Sequence, residues 1–222
     1  FFDNNWIDAP VRPGKSPGAF AHPTVPSAHP YVLLNYQGKS RDVMTLAHEL
    51  GHGVHQVLAA KNGALMAPTP LTLAETASVF GEMLTFQALL RQTTDKKKRK
   101  ILLASKVEDM INTVVRQIAF YCFERQVHEE RRKGELTAER IGEIWMGVQA
   151  ESLGSAIDLY GLYQEAHPGF VEKYTSLLAA GGSRHHSELL APFGLETRDP
   201  AFWDKGLAVI GRLIDELEAM EA

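Results

Sequence analysis

His48 and His52 stand four residues apart in the run His48-Glu49-Leu50-Gly51-His52, with Glu49 directly after the first histidine. Positions i and i+4 of a helix lie about 40° apart around the axis and about 6 Å apart along it, so both imidazoles can converge on one ion. Neutral imidazole nitrogens bind zinc at about 2.0 to 2.1 Å, and a catalytic zinc site keeps one coordination position open. Glu49 projects toward that open side, where a carboxylate can take a proton from water and pass it to a leaving amine. The pattern points to a zinc peptidase holding one Zn2+ per chain.

Such sites differ in their third ligand. One subclass uses a histidine six residues after the second, beyond a glycine. That position is Leu58 here, which leaves a carboxylate from a separate helix, and Glu75 is the first acidic residue after His52. Glu82, seven residues further on, falls on the same helical face within about 20°. It either orients a histidine from behind or is itself the ligand. His55 shares the face of His48 and is either a cleft residue or a hydrogen-bonded helix histidine. His22, His29, His128, His167, His185 and His186 show no ligand spacing and read as structural.

The elements that must position these residues follow from local pattern. Six of the eleven prolines fall within residues 1–30, which argues for loop or short extended structure there. Tyr31-Val32-Leu33-Leu34-Asn35-Tyr36 reads as a strand able to pair with an extended peptide. The motif helix then starts at a Ser40 cap, with Asp42 near its positive end, and stops near Asn62-Gly63. Val43, Leu46, Ala47, Leu50, Val54, Val57 and Leu58 supply its apolar spacing. Pro68 and Pro70 break the chain before a second helix, opening at Leu71 or Thr72, that carries Glu75 and runs to Leu90. A third helix spans 96–132, with Ile101, Leu102, Val107, Met110, Ile111, Val114, Ile118, Tyr121 and Val127 as its apolar positions. A fourth runs from a Thr137 cap toward Leu159, another covers about 170–180, and the last starts at Asp199-Pro200. The expected fold is mainly α, with a small β region before the motif helix.

With 222 residues, 45% hydrophobic and 23% charged, the chain can bury a substantial core in one domain or at most two. A net charge of −4 offers no general attraction to phosphate. The basic run Lys96 to Lys100 opens a helix and reads as a solvated surface, so nucleic acid is not expected as a partner. No apolar stretch is long enough to span a bilayer, and no signal peptide is evident at the start, so no membrane association is expected. The single Cys122 fits a reducing compartment, and the reading is cytoplasmic. The opening Phe1-Phe2 without a methionine suggests one part of something longer.

Thr45 to His55, together with Leu73-Ala74-Glu75-Thr76-Ala77-Ser78-Val79-Phe80-Gly81-Glu82, closely resembles the oligoendopeptidase F group of the thimet oligopeptidase family. Gly14 to Phe20, Glu151 to Gly154, Leu177 to Phe193 and Asp199 to Trp203 resemble the same group, so the likeness covers nearly the whole chain. It implies an α-rich, zincin-like metallopeptidase core over residues 1–222, acting on internal bonds of short peptides in a narrow channel. It also implies His48, His52 and Glu75 as zinc ligands and Glu49 as general base. Two departures accompany it. The family's long helical region ahead of the core has no counterpart here, and neither has a histidine- and tyrosine-rich segment expected near Leu159. Tyr160 and Tyr163 either substitute for that segment or pack on a helix flank. Besides a working endopeptidase, two readings therefore stand: a metal-binding piece with little activity, and a zinc hydrolase of non-peptide substrates.

Overall fold

Two glycines set the geometry of the helices that carry the motif. Helix α1 (Ser40–Ala59) and helix α2 (Ala74–Gln92) pack along each other with almost no side chain between them at one point. A Cβ on Gly51 would lie 2.3 Å from the Ala77 carbonyl oxygen and 2.6 Å from the Ser78 Cα. On the other helix, a Cβ on Gly81 would meet the Ala47 carbonyl oxygen at 3.0 Å. Backbone thus meets backbone, which draws the two axes closer than larger side chains permit. The computed structural model describes residues 1–149, 170–181, 183–196, 199 and 201–220. Among these the fold is mainly α with a small sheet, as the periodicity predicts.

The described residues fall into two compact units, Phe1–Gln92 with Leu162–Asp199 and Thr93–Gly161 with Pro200–Ala222. The first begins with a three-stranded sheet formed by β1 (Ile7–Asp8), β2 (Phe20–His22) and β3 (Tyr31–Leu33), in the order β1-β3-β2. β3 pairs parallel with β1 and antiparallel with β2, Val32 facing Ile7 on one side and Ala21 on the other. The strand read from Tyr31 onward is therefore the central one, and it is shorter than the apolar run suggests. Lys15 ties this region together. Its side chain is only 2% exposed, and its ammonium donates to the carbonyls of Asp8, Pro10 and Leu34 and to Asp8 Oδ1 at 2.7 to 3.1 Å. Asn35 Nδ2 donates to Ser16 O and Gly18 O, fixing the loop that leads into β2.

α1 starts at Ser40, but its cap differs from the expected serine. Lys39 is the capping position, and the Asp42 carboxylate accepts the backbone N–H groups of Gln37 and Lys39 at 2.8 and 2.9 Å. An acidic residue three positions after the cap satisfies donors that the helix leaves open. A 3₁₀ turn over Ala60–Asn62 ends the helix at Gly63, whose φ of 76° suits glycine. The apolar face also departs from the reading: Val54 and Val57 are each 45% exposed, while Glu49, Gly53, His55 and Ala59 are buried. A 3₁₀ turn over Leu71–Leu73 leads into α2. Helix α5 (Phe170–Ala180) packs on α1, and Asn62 Nδ2 donates to Ala179 O and Ala180 O at 3.0 Å each. The short α6 (His186–Leu190) follows.

In the second unit, Asp95 caps helix α3 (Lys96–Arg131) by accepting from Lys98 N at 2.9 Å. Thr137 Oγ1 accepts from Arg140 N at the start of α4 (Ala138–Gln149), as the sequence predicts. The expected continuation toward Leu159 lies outside the described residues, as do His167 and Pro200. Val107, Met110 and Val114 of α3 are buried, whereas Ile101, Ile111 and Tyr121, assigned to the same apolar set, are exposed. Helix α7 (Ala201–Glu218) packs on α3, and Arg99 pairs with Glu216. No helix among the described residues is long and apolar enough to cross a membrane.

Adding one methyl group at the helix contact tests its importance. Gly51→Ala is expected to destabilise the protein by about 1 to 3 kcal/mol, because backbone cannot yield as a side-chain tip can. Gly142→Ala, on α4 where a Cβ meets nothing within 4 Å, is expected to gain about 0.5 to 1 kcal/mol from helix propensity. Urea unfolding of both variants beside the parent chain measures the contrast.

Candidate metal centre

α1 presents His48 and His52 one turn apart, with ring centroids 4.9 Å apart and planes nearly perpendicular. The tight contact at Gly51 brings the first turn of α2 across them, and Glu75 lies in that turn. Glu75 Oε2 is 3.1 Å from His48 Nε2 and 3.5 Å from His52 Nε2. One ligand atom from each of the three residues lies within 4.8 Å of the others. Ligands about 2.0 to 2.1 Å from a tetrahedral zinc are separated by about 3.3 Å. The spacing and the donor chemistry, two imidazole nitrogens and a carboxylate oxygen, therefore fit zinc.

Glu82 takes the other side of His48. Its Oε2 lies 3.3 Å from His48 Nδ1, away from the Nε2 atom that faces Glu75. With Nδ1 donating its proton to Glu82, Nε2 is left with a free lone pair, the tautomer a metal requires. Glu82 thus stands behind His48, outside the cluster of His48, His52 and Glu75. For His52, the ring hydrogen bonds to the backbone of Ala74.

The charges are arranged to match. Burial pulls His48 down, but hydrogen bonds to Glu75 and Glu82 outweigh it and hold the ring up near about 9. The hydrogen bond with His48 holds Glu75 down near about 2, assisted against burial by the Ser78 hydroxyl. Two carboxylates beside one imidazole favour positive charge at this point, which is what a bound cation would supply. Glu49 behaves differently. It is buried, burial raises its carboxyl above the ordinary range, and the backbone of Ala21 in β2 hydrogen bonds to it. A carboxylate raised in this way is suited to accepting and returning a proton.

Several residues around the cluster carry no advance signal in the sequence. Gln56 Nε2 donates to Ala21 O at 3.2 Å, so both backbone groups of Ala21 turn toward α1. Tyr174 of α5 donates its hydroxyl to Thr76 O at 2.9 Å, stacks on Phe170 and lies tilted against Phe80, bracing the turn that holds Glu75. Ser78 Oγ lies 2.7 Å from Glu75 Oε2. Only Ser78 was legible in principle, since a serine three positions after an acidic residue shares its helical face. Tyr160 and Tyr163 lie outside the described residues.

Residues 1–167 match the model of peptidase family M3. The chain belongs to that family. It is 28% identical over 253 positions to an oligoendopeptidase F homolog of Borreliella burgdorferi, covering 96% of this chain and 42% of the relative. Against the chromosomal oligoendopeptidase F of Lactococcus lactis subsp. cremoris it is 35% identical over 146 positions, covering 65% of this chain and 24% of that one. The solved structure of PZ peptidase A with an inhibitor superposes on 96% of this chain and 44% of its own, with a TM-score of 0.76 at 16% identity, a likeness of fold. This M3 chain spans less than half the length of these relatives. The Borreliella match also runs over more positions than the 222 residues available, so that relative carries segments with no counterpart here.

His55 gives the site a measurable pH signature. It is 2% exposed, its Nδ1 has no hydrogen-bond partner among the described residues, and burial, with His52 adding repulsion, pushes it down to about 4. A histidine depressed below its unfolded value of about 6.5 binds its proton more readily in the unfolded chain. Stability tied to this group is therefore full above about pH 6.5 and is lost as pH falls toward 4, by up to about 3 kcal/mol. Urea midpoints at pH 7.5 and pH 5 are expected to differ less in His55→Gln than in the parent chain.

Proposed function

We propose that this M3 chain carries the catalytic centre of a zinc endopeptidase that hydrolyses internal bonds of short peptides. The observation that carries the reading is the convergence of His48 Nε2, His52 Nε2 and Glu75 Oε2 beside a buried Glu49 whose carboxyl is raised. His48, His52 and Glu75 hold the ion and Glu82 fixes the His48 tautomer. Zinc, when bound, supplies a Lewis acid for the scissile carbonyl and lowers the pKa of water. Glu49 accepts the proton of the attacking water and delivers it to the leaving amine. Its buried setting keeps that proton from bulk solvent, and the contact with Ala21 fixes where the carboxylate stands.

The sheet supports a place for an extended substrate. β3 is flanked on both sides, so an extended peptide would pair with an outer strand, and of the two β2 is the one whose Ala21 meets Glu49 and Gln56. Ala21 spends its outward N–H and C=O on Glu49 and Gln56. The single Cys122 and the modest net charge suit a cytoplasmic peptidase of this kind.

A second reading, a centre that binds metal with little turnover, is favoured by the segments that the Borreliella relative carries and this chain lacks. Loss of a single oxyanion donor costs about 10²- to 10³-fold in rate. One experiment separates the two. Bound zinc, measured by atomic absorption, and cleavage of a quenched peptide are compared in the parent chain and in Glu49→Gln. The expected result is unchanged zinc with at least about 10²-fold slower cleavage in the variant. Zinc without turnover in the parent chain would favour the second reading, and cleavage persisting in Glu49→Gln would overturn the mechanism.

A further inference from the structure

The oxygen of Glu75 that faces both imidazoles accepts a further contact, from Ser78. Ser78 Oγ stands 2.7 Å from Glu75 Oε2 and 3.1 Å from the Glu75 carbonyl oxygen. A hydroxyl has one proton to donate, and of two acceptors the closer, charged one takes it. Ser78 itself is fully buried, and its Cα lies against Gly51 at the backbone contact of α1 and α2. It is therefore anchored from both helices at once.

Glu75 is anchored far less. Its side chain is 59% exposed, and the last torsion of a glutamate is broad and close to two-fold, so packing alone does not choose between its two oxygens. We propose that Ser78 is a positioning residue of the metal centre: its hydroxyl selects Oε2 as the oxygen Glu75 offers, and holds the carboxylate in single-oxygen presentation to the cation. The inference rests on the zinc reading above and concerns how the ligand is held. Groups that orient a metal ligand from behind typically contribute 10- to 100-fold in metal affinity. Glu82 does this for His48, and Ser78 does it for Glu75 from within the same helix.

The test measures Zn2+ affinity by competition with a chromophoric chelator, together with the visible spectrum of the Co2+ form. Binding by the parent chain decides the zinc reading in the same titration. Ser78→Ala is expected to retain the parent's far-ultraviolet circular dichroism, bind Zn2+ about 10- to 100-fold more weakly and shift the Co2+ bands. In a Glu75→Gln background the same substitution is expected to change affinity less than about two-fold, because its only route to the metal is gone. Equal losses in the two backgrounds would show a general structural effect and overturn the proposal. Unchanged affinity and spectrum in Ser78→Ala would overturn it as well. Ser78→Gly removes the hydroxyl and adds no atom, and it carries the same two comparisons if the alanine variant does not fold.

Discussion

The contact of Gly51 with the backbone of Ala77 and Ser78 is the constraint on which the centre depends. An α2 held further away would leave Glu75 unable to reach His48 and His52, since its carboxylate already spans 3.1 and 3.5 Å to their nitrogens. Gly81 repeats the arrangement one register along, against Ala47 O. Two helices touching through backbone at successive points leave little freedom to slide, because packed interiors yield reluctantly to added or displaced atoms. The outer support comes from α5, whose Tyr174 hydroxyl reaches Thr76 O and whose ring lies against Phe80 in the next turn.

Charge explains why a helix with so polar an interior face is tolerated. Ionisable groups drawn wholly or partly out of water require partners, and most of those here have one of a different kind. His48 lies between Glu75 and Glu82, Glu75 has His48 and Ser78, and Glu49 meets the backbone of Ala21. His55 is the exception, its Nδ1 unpartnered among the described residues, and burial favours its neutral form. The cluster of two carboxylates around two imidazoles carries negative charge that a divalent cation would balance.

The amino-terminal strands serve the site as well. Lys15 and Asn35 fix the loop before β2, and β2 in turn meets α1 through Ala21, Glu49 and Gln56. A region of high proline content thus becomes a strand edge beside the buried Glu49 carboxylate. Reading it as loop or short extended structure was correct in kind, but pairing between residues far apart in the chain decided which strand is central and which is the edge.

By itself the sequence determined the mainly α character, the helix carrying His48, Glu49 and His52, and Glu75 as the first carboxylate able to return to it. These follow from local rules: an i, i+4 spacing, caps and breaks that depend on neighbouring residues. It misplaced the inner face of α1, where Val54 and Val57 are exposed and Glu49 and His55 are buried, because hydrophobicity marks the inner face only when no chemistry occupies it. It left Glu82 undecided between ligand and orienting partner, and it gave no sign of Tyr174 or of the Ala21 backbone. Those depend on distances between segments set by the glycine contact and the sheet order. Residue type and spacing limit which atoms can meet, and the tertiary structure decides which of them do.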